Sequence, residues 1–250
     1  MRLTRAACGG SLLTVCAVER REVERNAPLP PLFIVLVAIL IIGIAVSGWY
    51  AAQRRKKALW AWASARGLRF DADHRGNLDA RFPEFDCLGK GRDRYGYNVM
   101  SGDWQGREFL GFDYHYVTGS GKNRSTHRFS AVILKSPVPL EPLFIRPEGL
   151  FDKVTEFFGY DDIDFESAEF SRRFYVKARN KRWAYDVIHP RTMELLLSSP
   201  ACTIKFGLVH VMAYRLSRFR LQDFEAAAEL IRGILDGLPD YVVRQQTGQS

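Results

Sequence analysis

Residues Leu32 to Ala52 (LFIVLVAILIIGIAVSGWYAA) run for 21 positions without a charge, and Arg54-Arg55-Lys56-Lys57 follow at once. A helix rises about 1.5 Å per residue, so roughly 20 apolar residues cross the hydrocarbon layer of a bilayer. The run has that length, and Pro28, Pro30 and Pro31 stop it from extending backwards. The expected layout is therefore a tail (1–31, disordered or an upstream mis-called start), a transmembrane helix (32–52) and a basic juxtamembrane helix (53–67). A domain (68–243) and a short tail (244–250) complete it.

Cations close to a span are disfavoured for translocation. The dense Arg54–Lys57 cluster outweighs Arg20, Arg21 and Arg25 on the amino side, which are interleaved with Glu19, Glu22 and Glu24. The C-terminal domain is thus expected in the cytoplasm. Trp49 and Tyr50 precede the cations, as aromatic rings at the headgroup level do. Trp49, Tyr50, Arg54, Arg55, Lys56 and Lys57 form the expected lipid-facing set. A plain stop-transfer role is the simplest account of the collar, and the sequence shows no lipid-specific pocket beside it.

The tail has Arg2, Arg5 and a weakly apolar stretch, but Cys8, Gly9, Gly10 and Ser11 interrupt it and no small-x-small cleavage site follows. Leu13-Thr14-Val15-Cys16 departs from a lipoprotein box at Val15. Cys8, Cys16, Cys87 and Cys202 lie far apart, without the paired spacing of a zinc site or a disulfide framework. The net charge of +8 includes the collar, and the domain has no concentrated basic motif of a nucleic-acid binder.

Past the collar, Leu59, Trp62 and Ala63 share a helical face, with Gly67 as the stop. Asp71 to Arg94 is turn-rich, and from Tyr95 strand patterns take over. Leu110, Phe112, Tyr114 and Tyr116 alternate with Gly111, Asp113 and His115. Gly102–Gly106 joins that strand to Tyr97–Ser101 as a hairpin. Further strands are expected at Arg128–Leu134, Leu143–Arg146, Thr203–Leu208 and Val209–Leu216. A second hairpin is expected at Arg173–Arg179 and Arg182–Ile188 about Asn180-Lys181. Short helices are expected at Asp152–Gly159 and Thr192–Ser198. A final helix, Asp223–Leu238, places Phe224, Ala227, Ile231, Leu235 and Leu238 on one stripe. The fold class is α+β: a transmembrane helix, then a mostly antiparallel sheet with a packed C-terminal helix. Two sub-sheets, 95–147 and 173–217, are one arrangement of it.

Gly119-Ser120-Gly121-Lys122 lacks both the first Gly and the Ser/Thr of a phosphate-binding loop and joins two strands instead of opening a helix. The acidic run Asp161, Asp162, Asp164, Glu166 lacks the Gly and the distal Glu of a calcium loop. Asp113 and His115, two apart on a strand, share a face, and with His127 they have the residue types of an acid/base or metal site. Solvated positions on an open sheet face are the simpler reading of them. His189, near Asp186 and before Pro190, has the position of a capping or pairing residue, with general-base catalysis as the sharper alternative. No metal site and no cofactor is expected, and no nucleophile elbow, HExxH or dinucleotide Gly pattern is present.

Gly96-Tyr97-Asn98-Val99-Met100-Ser101-Gly102, Phe112-Asp113-Tyr114-His115-Tyr116 and Arg182–Thr192 (RWAYDVIHPRT) resemble an uncharacterised family of bacterial single-span membrane proteins. In that family a span, a basic collar and a segment like Arg54–Phe70 (RRKKALWAWASARGLRF) precede one domain of unknown function. The resemblance runs from Leu32 to Val243, implies a bacterial membrane setting, and carries no catalytic residues; with the collar, the expected location is the bacterial inner membrane. The reading that follows is a single-pass anchored domain that binds a protein, lipid headgroup or small ligand. Its alternatives are a membrane-face hydrolase using Asp113 and His115, or a structural subunit of a membrane complex. The expected partners are the lipid bilayer and a protein or membrane complex, with no nucleic acid.

Overall fold

The computed structural model describes residues 31–73, 76–149 and 161–248. The tail before residue 31 and the helix expected over Asp152–Gly159 fall outside them. In chain order the elements are α1 (Pro31–Ser64), β1 (Arg69–Asp71), α2 (Leu78–Arg81), β2 (Arg92–Trp104), β3 (Arg107–Thr118), β4 (Ser125–Lys135), β5 (Leu143–Pro147) and β6 (Asp161–Asp162). Then come α3 (Ala168–Arg173), β7 (Phe174–Ala178), α4 (Lys181–Val187), α5 (Pro190–Ser198), β8 (Thr203–Phe206), β9 (His210–Arg215), α6 (Leu221–Asp236) and α7 (Asp240–Thr247). Two compact units divide the chain, Met1–Arg54 and Arg55–Ser250.

Helix α1 is long and apolar enough to cross a bilayer, and its apolar stretch is exposed among the described residues. Within the second unit its last turns change character. Leu59, Trp62 and Ala63 are buried, at the helical spacing the sequence shows. Gly67, at φ +70, ends the helix: the Leu68 amide reaches back to the Ala63 carbonyl at 2.9 Å, satisfying a carbonyl the last turn would leave open.

All the described strands form one antiparallel sheet, in the order β1-β2-β3-β4-β9-β8-β5-β7-β6. The strand groups of 95–147 and 173–217 are therefore parts of a single sheet. The β8–β9 hairpin slots between β4 and β5, pairing Ser130 with Arg215 on one side and Leu143 with Phe206 on the other. Both faces are covered. Met100, Trp104, Phe109, Val132, Val211 and Ala213 meet α6 and the last turns of α1, while Leu110, Phe112, Tyr114, Phe129 and Met212 meet the segment of Leu78–Leu88. The face of Asp113, which the alternation leaves open to water, is thus covered by α6 and the last turns of α1, while the turn-rich stretch after β1 folds back over the apolar face of Phe112.

The hairpin expected at 182–188 is a helix instead. Trp183, Ala184, Val187 and Ile188, all buried, follow a helical stripe, while Tyr185 faces out. The Asn180 side chain accepts the Trp183 amide at 3.3 Å, an N-cap that favours the helix over a turn between strands. Pro190 occupies the first turn of α5, where its missing N–H costs nothing. Glycine makes the contact between α5 and α6: a Cβ on Gly233 would lie 2.7 Å from Leu195 Cδ2.

Candidate functional site

The expected candidates converge on one buried charge, Asp113, and disperse elsewhere. Asp113 sits mid-strand on β3 with no exposed surface. Its partner is Arg55, whose Nη2 and Nε approach Oδ1 and Oδ2 at 2.7 and 2.9 Å, a bidentate pairing. Asn98 Nδ2 donates to Oδ2 at 2.9 Å and Ser130 Oγ to Oδ1 at 2.5 Å. Arg55 Nη1 donates to the Phe219 carbonyl at 2.7 Å, and the Phe219 amide donates to Ser130 Oγ at 2.9 Å. Four donors thus hold the two carboxylate oxygens, and the network ties α1, β2, β3, β4 and the segment before α6 to one point.

Local geometry builds each part. Arg55 lies one turn before Leu59 on the helix, so the buried stripe carries it inward while Lys56 and Lys57 remain exposed. Asn98 has φ +51 and occupies an irregularity in the β2–β3 register between Tyr97 and Met100, where an Asn tolerates the left-handed conformation. Ser130 faces Asp113 because the β3–β4 register pairs them directly. Tyr97 pairs with Asp113 across β2–β3, and its phenol titrates above its ordinary value. Burial is the main cause, the Asp113 charge adds to it, and Arg218, Arg128 and Arg55 oppose it.

Beyond Arg55 the same helical stripe enters an aromatic stack. Trp62 lies 5.9 Å from Trp104 at 15° between planes, Trp104 lies 5.3 Å from Phe109, and Trp104 Nε1 donates to Glu229 at 2.9 Å. The Arg66 guanidinium lies over the Trp62 ring at 4.4 Å.

The histidines have separate surroundings. His115 shares the Asp113 face, yet its Nδ1 lies 3.0 Å from the Asp93 carbonyl, which only accepts, so Nδ1 carries the proton. Its ring stacks on Tyr95 at 4.6 Å. His127 stacks on Tyr116 and bonds Thr118 at 2.7 Å. His189 directs Nε2 to the Gly237 carbonyl at 2.8 Å, bridging α5 and the end of α6. It borders an open groove of about 700 Å³ with Phe165, Tyr185, Met193 and Leu197, whose rim carries Glu166, Glu169 and Glu194. Among the described residues no three His, Cys, Asp or Glu groups gather as metal ligands.

The remaining collar residues have no such inward contacts. Trp49 and Tyr50 are exposed on α1, and Arg54 lies 6.0 Å over the Tyr50 ring. Arg55, grouped with them by sequence, is directed to Asp113 instead. Of the network, sequence reasoning singled out Asp113 and Arg55 separately and missed Asn98, Ser130 and the Phe219 backbone. The available signals were the 55–59–62–66 spacing and the break in alternation at Asn98.

Chemically, the arrangement suits mechanical fixation. Asp113 has no oxygen free to take a proton from a substrate, and His115 makes no bond to it. Among the described residues the two free cysteines are also apart, Cys202 in the core under α6 and Cys87 in the core of the Leu78–Leu88 segment, so the sheet separates them.

No protein-family model matches the chain, and no curated protein matches it. Among solved structures, the crystal structure of the mycobacterial trehalose monomycolate transport factor A, TtfA, superposes with a TM-score of 0.57 at 14% identity. The match covers 75% of this chain and 94% of that one, and at this identity it establishes a shared fold.

Proposed function

We propose that this chain is a single-pass, membrane-anchored and non-catalytic factor serving a lipid-transport assembly from the cytoplasmic face of a bacterial inner membrane. The observation that carries the reading is the Arg55–Asp113 network. The carboxylate best placed for chemistry is wholly engaged in holding the first helical turns of the domain against its sheet. A domain so built is suited to present surfaces to partners at the membrane. The fold shared with a lipid-transport factor supports the choice of process, and the basic collar supports the cytoplasmic side.

The test is deletion of the gene, with pulse-labelling and chromatographic separation of envelope lipids. An accumulating lipid precursor, relieved by the wild-type gene and equally by a His115→Ala gene, is the expected result. An unchanged lipid profile overturns the transport reading. Failure of a stably folded His115→Ala protein to complement overturns the non-catalytic part.

A further inference from the structure

The end of the sheet at which Arg55 enters the domain carries more positive charge than its own carboxylates neutralise. Among the described residues the acids there are each already held by an arginine: Asp79 by Arg94 at 2.8 Å, Asp93 by Arg124 at 3.7 Å, Asp113 by Arg55 at 2.7 Å, and Asp223 by Arg215 at 2.9 Å. Arg92 at the start of β2, Lys122 in the β3–β4 loop, Arg128 on β4 and Arg218 after β9 have no carboxylate partner among the described residues. All four are exposed.

Register places them together. Arg92 pairs with Val117, and Arg128 pairs with His115, so both flank the last residues of β3. Arg128 and Arg218 both act on the Tyr97 phenol, which faces Asp113 across the strands. At the opposite end, around the β2–β3 turn, carboxylates answer most of the cations. Arg66 meets Glu225, Arg107 meets Asp236, and Arg232 meets Glu229 and Asp236; Arg69 and Lys135 are the exceptions.

We propose that this end of the sheet, through Arg92, Lys122, Arg128 and Arg218, docks on the anionic headgroups of the bilayer that holds α1. Charge complementarity selects this occupant. Arg55 also follows Ala52, the last residue of the uncharged run, by three positions, so the chain delivers this end of the domain close to the point where the run ends. Arg54, Lys56 and Lys57 add to the same field. Each cation near an anionic surface favours the docked state by about fivefold. The proposal rests on the anchoring half of the function proposed above.

The test uses the full chain with Cys8→Ser, Cys16→Ser and Ser120→Cys, labelled on the β3–β4 loop and placed in lipid nanodiscs with a headgroup-attached quencher. Discs are made of phosphatidylcholine alone or with added phosphatidylglycerol. Strong quenching in the anionic discs, lowered by salt because screening shortens the reach of each charge, is expected. Arg128→Gln with Arg218→Gln should weaken docking by about 25-fold, while Arg128→Lys with Arg218→Lys retains it. Equal quenching in both disc types, or in the charge-removed and wild-type proteins, overturns the proposal. So does protection of the label by polyglutamate with no dependence on disc charge, which assigns the face to an acidic protein segment. A chain left outside the discs overturns the anchoring reading as well, and is seen before any quenching is measured.

Discussion

Replacing Asp113 by Asn keeps the side chain's shape and removes its charge, which isolates what the buried pair contributes. The native carboxylate receives donors from Arg55 twice, from Asn98 and from Ser130. An amide offers one oxygen, and its NH₂ must face donors that have nowhere else to turn. Arg55 then keeps one bond to that oxygen and one to the Phe219 carbonyl, its charge left without a counter-charge and its side chain only 19% exposed. Removing one partner of a buried pair costs about 3–5 kcal/mol, and the residual water access of Arg55 argues for the lower figure, about 3. For a domain of this size that lowers Tm by about 6–12 °C. The assay is thermal melting of the full chain in a mild non-ionic detergent, followed by near-ultraviolet circular dichroism, to which the Trp62–Trp104 stack contributes. Arg55→Leu should cost a similar amount, and Arg55→Leu with Asp113→Leu should cost less than the sum of the two, with a coupling of about 2 kcal/mol or more. Single variants within about 0.5 kcal/mol of wild type and additive in combination would refute the claim that this pair fixes the helix to the sheet.

Gly91→Ala should destabilise by about 2–4 kcal/mol, because φ +66 disfavours a side chain and the new Cβ would sit 2.3 Å from the Val117 carbonyl; a chemical-denaturation midpoint reads this. Burial raises the phenols of Tyr97 and Tyr114, so their contribution to stability is complete below pH ~10 and is lost as pH rises through the higher folded values. Alkaline unfolding should therefore coincide with late tyrosinate absorbance, and early, reversible ionisation of all tyrosines would contradict this. Burial also pushes the Cys202 thiol to about 11, so it should resist alkylation until the protein unfolds, as should buried Cys87. A cytoplasm-active fluorescent reporter fused after Ser250 should glow and a periplasm-active phosphatase should stay silent; the reverse would move the domain to the other side.

Much of the fold was legible because it depends on short-range periodicity. The Leu59–Trp62–Ala63 face, the alternation around Phe112 and the stripe through Phe224 and Ile231 all appear where spacing places them. The 182–188 helix was not, since Trp183, Tyr185 and Val187 also alternate like a strand, and only the Asn180 cap and the burial of Ala184 decide the matter. The covered second face was hidden for a different reason. Whether Asp113 meets water depends on where Arg55 and the segment before α6 fold, and no local pattern records that. Lone collar residues are equally ambiguous: Arg55 and Lys56 differ by one position, and a rotation of 100° separates a buried pair from an exposed charge.

The insertion of β8–β9 between β4 and β5 also sets an order of events during synthesis. β4 leaves the ribosome about 80 residues before β9 does, a delay of roughly 4–16 s at ordinary elongation rates. Throughout that interval the edges of β4 and β5 that will receive the hairpin lack their native neighbours, on a chain whose apolar run has already emerged. Such edges invite pairing with other chains. Premature termination anywhere before His210 would leave them open permanently, and early nonsense lesions should yield aggregated or degraded protein in place of a working half-domain.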